Sequence, residues 1–176
     1  MDMIKILLLA VVLVTSSPAL ALEEEPPYST QTLTDEEIVG QIQNFTSTPE
    51  GGVDWKLFSE TEDVPYKVER EGQEWEGVKP KFSAALENLD GKTIKMSGYM
   101  FPLDQTAKQS QFLFGPFPLS CPYHYHAPNS LIIEVHTDKP ISFSYEPITL
   151  QGTLELVPED YEYNTFYKLQ SARIVK

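Results

Sequence analysis

Cysteine is almost missing: Cys121 is the single thiol in 176 residues, so no intramolecular disulfide can form. Positive charge is scarce as well. Lys and Arg number 13 against 26 Asp and Glu, a formal net charge of −13. Nucleic-acid affinity comes from neutralising phosphates with Lys and Arg, so this balance excludes nucleic acid as a partner and disfavours docking on anionic membranes. No apolar run approaches the ~20 residues that cross a bilayer as a helix. There is no Gly-rich phosphate loop, no serine nucleophile elbow and no internal repeat.

What is present begins with the marks of an export leader. Lys5 precedes an apolar stretch from Ile6 to Val14, and Ala19-Leu20-Ala21 supplies a small-residue cleavage site before Glu23-Glu24-Glu25. This arrangement predicts a leader over residues 1–21, cleaved after Ala21, and a periplasmic or secreted protein with no direct membrane insertion after cleavage. Such an address sharpens the meaning of Cys121. Outside the reducing cytoplasm a lone thiol persists only if it is buried, capped or bound.

Residues 22–52 read as a flexible acidic lead-in containing one short helix. Thr34 and Glu37 have capping-box spacing, and Ile38, Ile42 and Phe45 recur at helical intervals. Residues 53–176 read as a single domain. Over 53–78 aromatic anchors are interrupted by Pro65 and Gly72, and no period is legible; a short helix is expected over Pro80–Leu89. From Lys92 onward the pattern turns to β. Thr93–Met100 alternates with period two, and Gln111–Phe114, Leu131–Val135, Ile141–Tyr145, Thr149–Leu156 and Phe166–Val175 follow. Leu131–Val135 is nearly all apolar, as in a central strand, and Gly98 and Gly152 inside strands suggest bulges or the bends of a closing barrel. The fold class expected is mainly β: a small five- to six-stranded OB-like barrel with one or two short N-terminal helices, a β-sandwich being the alternative.

Chemistry concentrates in one loop. Residues 115–130 hold Cys121 together with His124 and His126, two of the three histidines. Thiolate and imidazole are ligands that Zn²⁺ and copper ions select. His124 and His126 lie two apart, so in an extended segment they point the same way, and a turn at Cys121-Pro122 can bring the sulfur alongside. Pro116, Pro118, Pro122 and Pro128 stiffen the loop. A fourth position falls to water, His136 or Met100. The competing readings make Cys121 a small buried residue among exposed histidines, or a thiol activated by a nearby imidazole.

Five stretches together resemble a known family: Gly91–Leu103, with its Gly98-Tyr99-Met100-Phe101-Pro102-Leu103 ending, Phe112-Leu113-Phe114, the Cys121 loop, Leu150-Gln151-Gly152-Thr153-Leu154 and Tyr167–Ile174. They are similar to small secreted bacterial proteins grouped as a domain of unknown function. The resemblance implies a periplasmic OB-like barrel, often encoded beside ABC transporter genes, some linked to zinc acquisition. It carries over only Cys121 and the loop histidines as candidate positions. The functional expectation is an exported, non-enzymatic metal-binding protein holding Zn²⁺, or copper, through Cys121, His124 and His126, and acting with membrane transporter subunits. The alternatives are an interaction module of an envelope complex without metal, marked by an exposed apolar patch near Phe114–Leu119, and a thiol-redox protein using Cys121.

Overall fold

The computed structural model describes residues 33–70, 72–121, 127–160 and 164–176. The expected leader and the first part of the lead-in, up to residue 32, lie outside them. Helix α1 (Asp35–Gln41) starts at the anticipated capping box: the Thr34 hydroxyl accepts the Glu37 N–H at 3.3 Å, and the Glu37 carboxylate accepts the Thr34 N–H at 2.8 Å. Seven residues cannot hold a helix in water alone. Burial of Ile38 and of Ile42, in the 3₁₀ turn that follows, supplies the rest. The helix lies in the compact unit spanning Thr32–Lys176.

Two further short helices follow. Asp54 caps α2 (Trp55–Phe58) by accepting the Lys56 N–H at 2.8 Å, and Ser83 caps α3 (Ala84–Glu87). Between them the stretch that showed no clear period forms an antiparallel ribbon, β1 (Glu62–Arg70) with β2 (Gln73–Lys81). Pro80 and Lys81, expected in a helix, belong to this ribbon. Charge masks its alternation: Lys67 pairs across it with Glu74 and Glu76, and Lys81 with Glu62 at 2.9 Å. Gly77 is needed opposite Tyr66, because a Cβ there would stand 2.7–2.9 Å from that side chain.

The remaining strands close into a barrel: β3 (Thr93–Pro102), β4 (Lys108–Gly115), β5 (Ile133–Ser142), β6 (Ile148–Leu156) and β7 (Tyr167–Val175), in the order β3-β4-β5-β7-β6. All neighbouring pairs are antiparallel except β5 with β7. Closure rules out the sandwich and gives the expected OB-like architecture. Along β3 the period of two buries Ile94, Met96, Gly98 and Met100. Residues up to Gly98 pair with β6 and those from Tyr99 with β4, so the strand changes partner at Gly98. A Cβ there would meet the Gly115 carbonyl oxygen at 2.7 Å, which explains glycine at this bend. Gly152 falls at a register shift between β6 and β7, also as expected of a strand glycine.

One expected division disappears. Leu131–Val135 and Ile141–Tyr145 read as two strands, yet β5 runs through Pro140 without a break. The ladder to β4 is irregular between Gln109 and Gln111, and Pro140 falls in that step, where no donor is needed. The small N-terminal elements pack on the barrel's aromatic interior. Trp55 lies 5.8 Å from Phe114 and donates through its indole N–H to the Ser97 carbonyl at 2.7 Å; Phe58 meets Tyr167 edge-on at 4.9 Å.

Candidate functional site

Two places on the barrel carry chemistry. The first is the loop after β4. Phe114 and Phe117 are fully buried, and the Cys121 N–H donates to the Pro118 carbonyl at 3.0 Å, which turns the chain at the thiol. Cys121 is itself only 6% exposed. It shares the surroundings of Tyr99 on β3, whose phenol is pushed up by burial, then by the charges of Glu146 and Cys121. His124 and His126 lie outside the described residues, so the structure places one of the three expected ligands. Among the described residues no three His, Cys, Asp or Glu side chains gather into a metal-binding group. Met100 points into the barrel with 1% exposure, and a small pocket of about 50 Å³ joins it to Tyr99 and to the 118–120 turn just before Cys121. The apolar patch sought near Phe114–Leu119 reduces to Leu119, at 38% exposure, because both phenylalanines face inward.

The second place is a groove of about 520 Å³ on the outer face of β4 and β5. Alternation produces it. Phe112 and Phe114 point inward, so Gln111 and Leu113 point out; Ile133 and Val135 point inward, so Ile132, Glu134 and His136 point out. Register then sets Leu113 opposite Glu134 and Gln111 opposite His136. Leu103, Leu113 and Ile132 make apolar walls, and Asn129, Asn164 and Thr165 complete the lining. Among the lining residues the one charged side chain is Glu134, only 7% exposed. Its Oε1 accepts the Gln111 amide at 2.6 Å and lies 2.7 Å from His136 Nε2. Removing a carboxylate from water is costly unless hydrogen bonds to the charge compensate, and these two partners provide that compensation.

His136, anticipated as a distant fourth ligand for the Cys121 loop, is thus engaged by Glu134 on the groove face. Glu134 and Gln111 were not foreseen. The available signal was Glu134 itself, the one charged residue in the apolar Leu131–Val135 run; only strand pairing reveals that it faces a groove.

The family model described as "Protein of unknown function (DUF3299)" matches residues 34–176, the segment containing the strand motifs noted above. A crystal structure of a DUF3299 family protein from Pseudomonas aeruginosa aligns at 24% sequence identity with a TM-score of 0.42, covering 55% of this chain and 68% of that one. No curated protein matches the chain.

Proposed function

The chain belongs to the DUF3299 family of proteins of unknown function, and from that premise we propose that it is an exported metal-binding protein and not an enzyme. The observation that carries this reading is the Cys121-x-x-His124-x-His126 spacing, which begins at a thiol shielded to 6% exposure where the chain turns. One thiolate and two imidazoles form a donor set suited to Zn²⁺ first and copper second. Prolines on both sides lower the entropy lost when the ligands gather. The net charge of −13 raises the local concentration of cations. In this reading the protein passes its ion to, or reports on it for, a membrane transporter. A shielded thiol is a poor reagent, which counts against the thiol-redox alternative.

The deciding measurement is the metal content of protein purified from its own envelope, followed by titration of Zn²⁺ into wild type, Cys121→Ser and the His124→Ala/His126→Ala double variant. Wild type is expected to retain about one ion per chain, and each variant to lose affinity by about tenfold or more, the scale of an altered metal shell. Unchanged affinity in both variants would remove the site. Burial of Cys121 also suits the other class of reading, an interaction module without metal. Affinity isolation that recovers the same transporter subunit from wild type and from the triple variant would favour that reading.

A further inference from the structure

We propose that the groove between β4 and β5 is a binding site for a small organic cation: an ammonium or guanidinium group on an apolar stem. Cys121 is not among the residues that line it, and the proposal does not depend on metal binding at that thiol. Three features converge on this ligand class.

The first is shape. About 520 Å³ is within the range of small-molecule sites and too little for a folded partner. The second is the lining. Leu103, Leu113 and Ile132 offer apolar wall for a hydrocarbon stem, beside the polar side chains of Gln111, Asn129, Asn164 and Thr165. The third is Glu134. A carboxylate that is 7% exposed, the one charged side chain in the lining, sets the sign of what can enter. Both of its described side-chain hydrogen bonds fall on Oε1. A carboxylate accepts about four hydrogen bonds over its two oxygens, so Oε2 keeps acceptor capacity for an incoming N–H donor. Gln111 and His136 hold the carboxylate in place from the facing strand and from its own. Phosphates, sulfates and carboxylates would meet this charge with like charge in a partly desolvated setting, and neutral ligands would add no charge-assisted hydrogen bond at Oε2. An ammonium or guanidinium group satisfies it, and its stem covers the apolar walls. The overall charge of −13 raises the concentration of cations around the protein as a whole.

The test uses the purified protein with three probes of equal length: n-hexylammonium, n-hexanol and n-hexanoate. Binding is followed by amide chemical shifts. The proposal expects shifts at Gln111, Leu113, Ile132 and Glu134, with hexylammonium binding about tenfold or more tighter than hexanol, the scale of one hydrogen bond to a charged group, and no saturation with hexanoate. In Glu134→Gln, which keeps the size and an acceptor for Gln111, the preference for hexylammonium over hexanol should collapse to about unity. Ile132→Trp fills the groove and should abolish binding of both while leaving the carboxylate intact, a control should Glu134→Gln prove unstable. Equal binding of hexylammonium and hexanol, a preference that survives Glu134→Gln, or shifts away from the groove would each overturn the proposal, as would no shift with any probe at millimolar concentration. Zn²⁺ binding abolished by Glu134→Gln and retained in Cys121→Ser would also overturn it, by making Glu134 and His136 metal ligands. Because Cys121 does not line the groove and Glu134 is not among the proposed metal ligands, failure of the groove and failure of the metal site are read separately.

Discussion

Tyr167 shows how one side chain joins the N-terminal elements to the barrel. Its ring is fully buried against Phe58, and its hydroxyl reaches Thr61 Oγ1 at 2.5 Å and the Phe58 carbonyl at 3.3 Å. Burial pushes the phenol well above its ordinary range, although the Thr61 hydrogen bond acts the other way. Tyr167→Phe leaves the ring packing intact but strands a buried acceptor, so it should cost about 1–2 kcal/mol in urea unfolding at neutral pH. The pH dependence has a definite sign. Above about pH 10 the unfolded chain releases this proton while the folded one keeps it, so wild-type stability falls as pH rises. Stability of the phenylalanine variant should fall less steeply over the same range. Equal slopes above about pH 10 would mean that Tyr167 is more hydrated than its burial implies.

Elements here are short and depend on their ends. The four-residue α2 presents Trp55 and Phe58 to the core from a cap formed by Asp54, which accepts the Lys56 N–H at 2.8 Å and the Thr48 hydroxyl at 2.6 Å. Burial alone would push the Asp54 carboxyl up. The Thr48 hydrogen bond, the Lys56 N–H and the Lys56 charge together outweigh it, leaving a lowered value. Asp54→Ala should therefore destabilise by about 1 kcal/mol at pH 7, the usual loss of a cap. A depressed carboxylate stabilises fully above its unfolded value of about 3.9 and loses that contribution as pH falls through the folded value. The gap between wild type and variant should narrow below about pH 4 in thermal melts. The ribbon β1–β2 behaves differently as an element. It forms its own two-stranded sheet outside the barrel and leaves Trp75 56% exposed. Its sequence pattern was illegible because cross-strand charge pairs and Gly77 replace the apolar alternation that marks a barrel strand.

At the scale of the molecule, net charge acts on stability. With 26 acids against 13 bases, self-repulsion opposes compaction. Raising ionic strength from about 0.01 to 0.15 M shortens the screening length from about 30 to 8 Å and should raise the thermal midpoint; a midpoint unmoved by salt would place the repulsion in the unfolded chain equally. The sequence alone determined the β character, because period-two burial along β3 is a local consequence of strand geometry; its glycines at 98 and 152 pointed to a barrel, but only strand closure excluded the sandwich. It also determined the capping box of α1 and gathered Cys121, His124 and His126 within six positions, since each is a matter of spacing along the chain. It left the Pro140 passage through β5 unread, because proline breaks a strand only where the ladder needs its N–H, and the ladder exists only in three dimensions. Docking of α1 likewise waited on the fold, which supplies the surface that buries Ile38 and Ile42. Above all, only the tertiary structure set Gln111 of β4 beside Glu134 and His136 of β5. Those strands meet across more than twenty positions of chain, and the register that aligns them, not any local motif, made a groove with a buried charge.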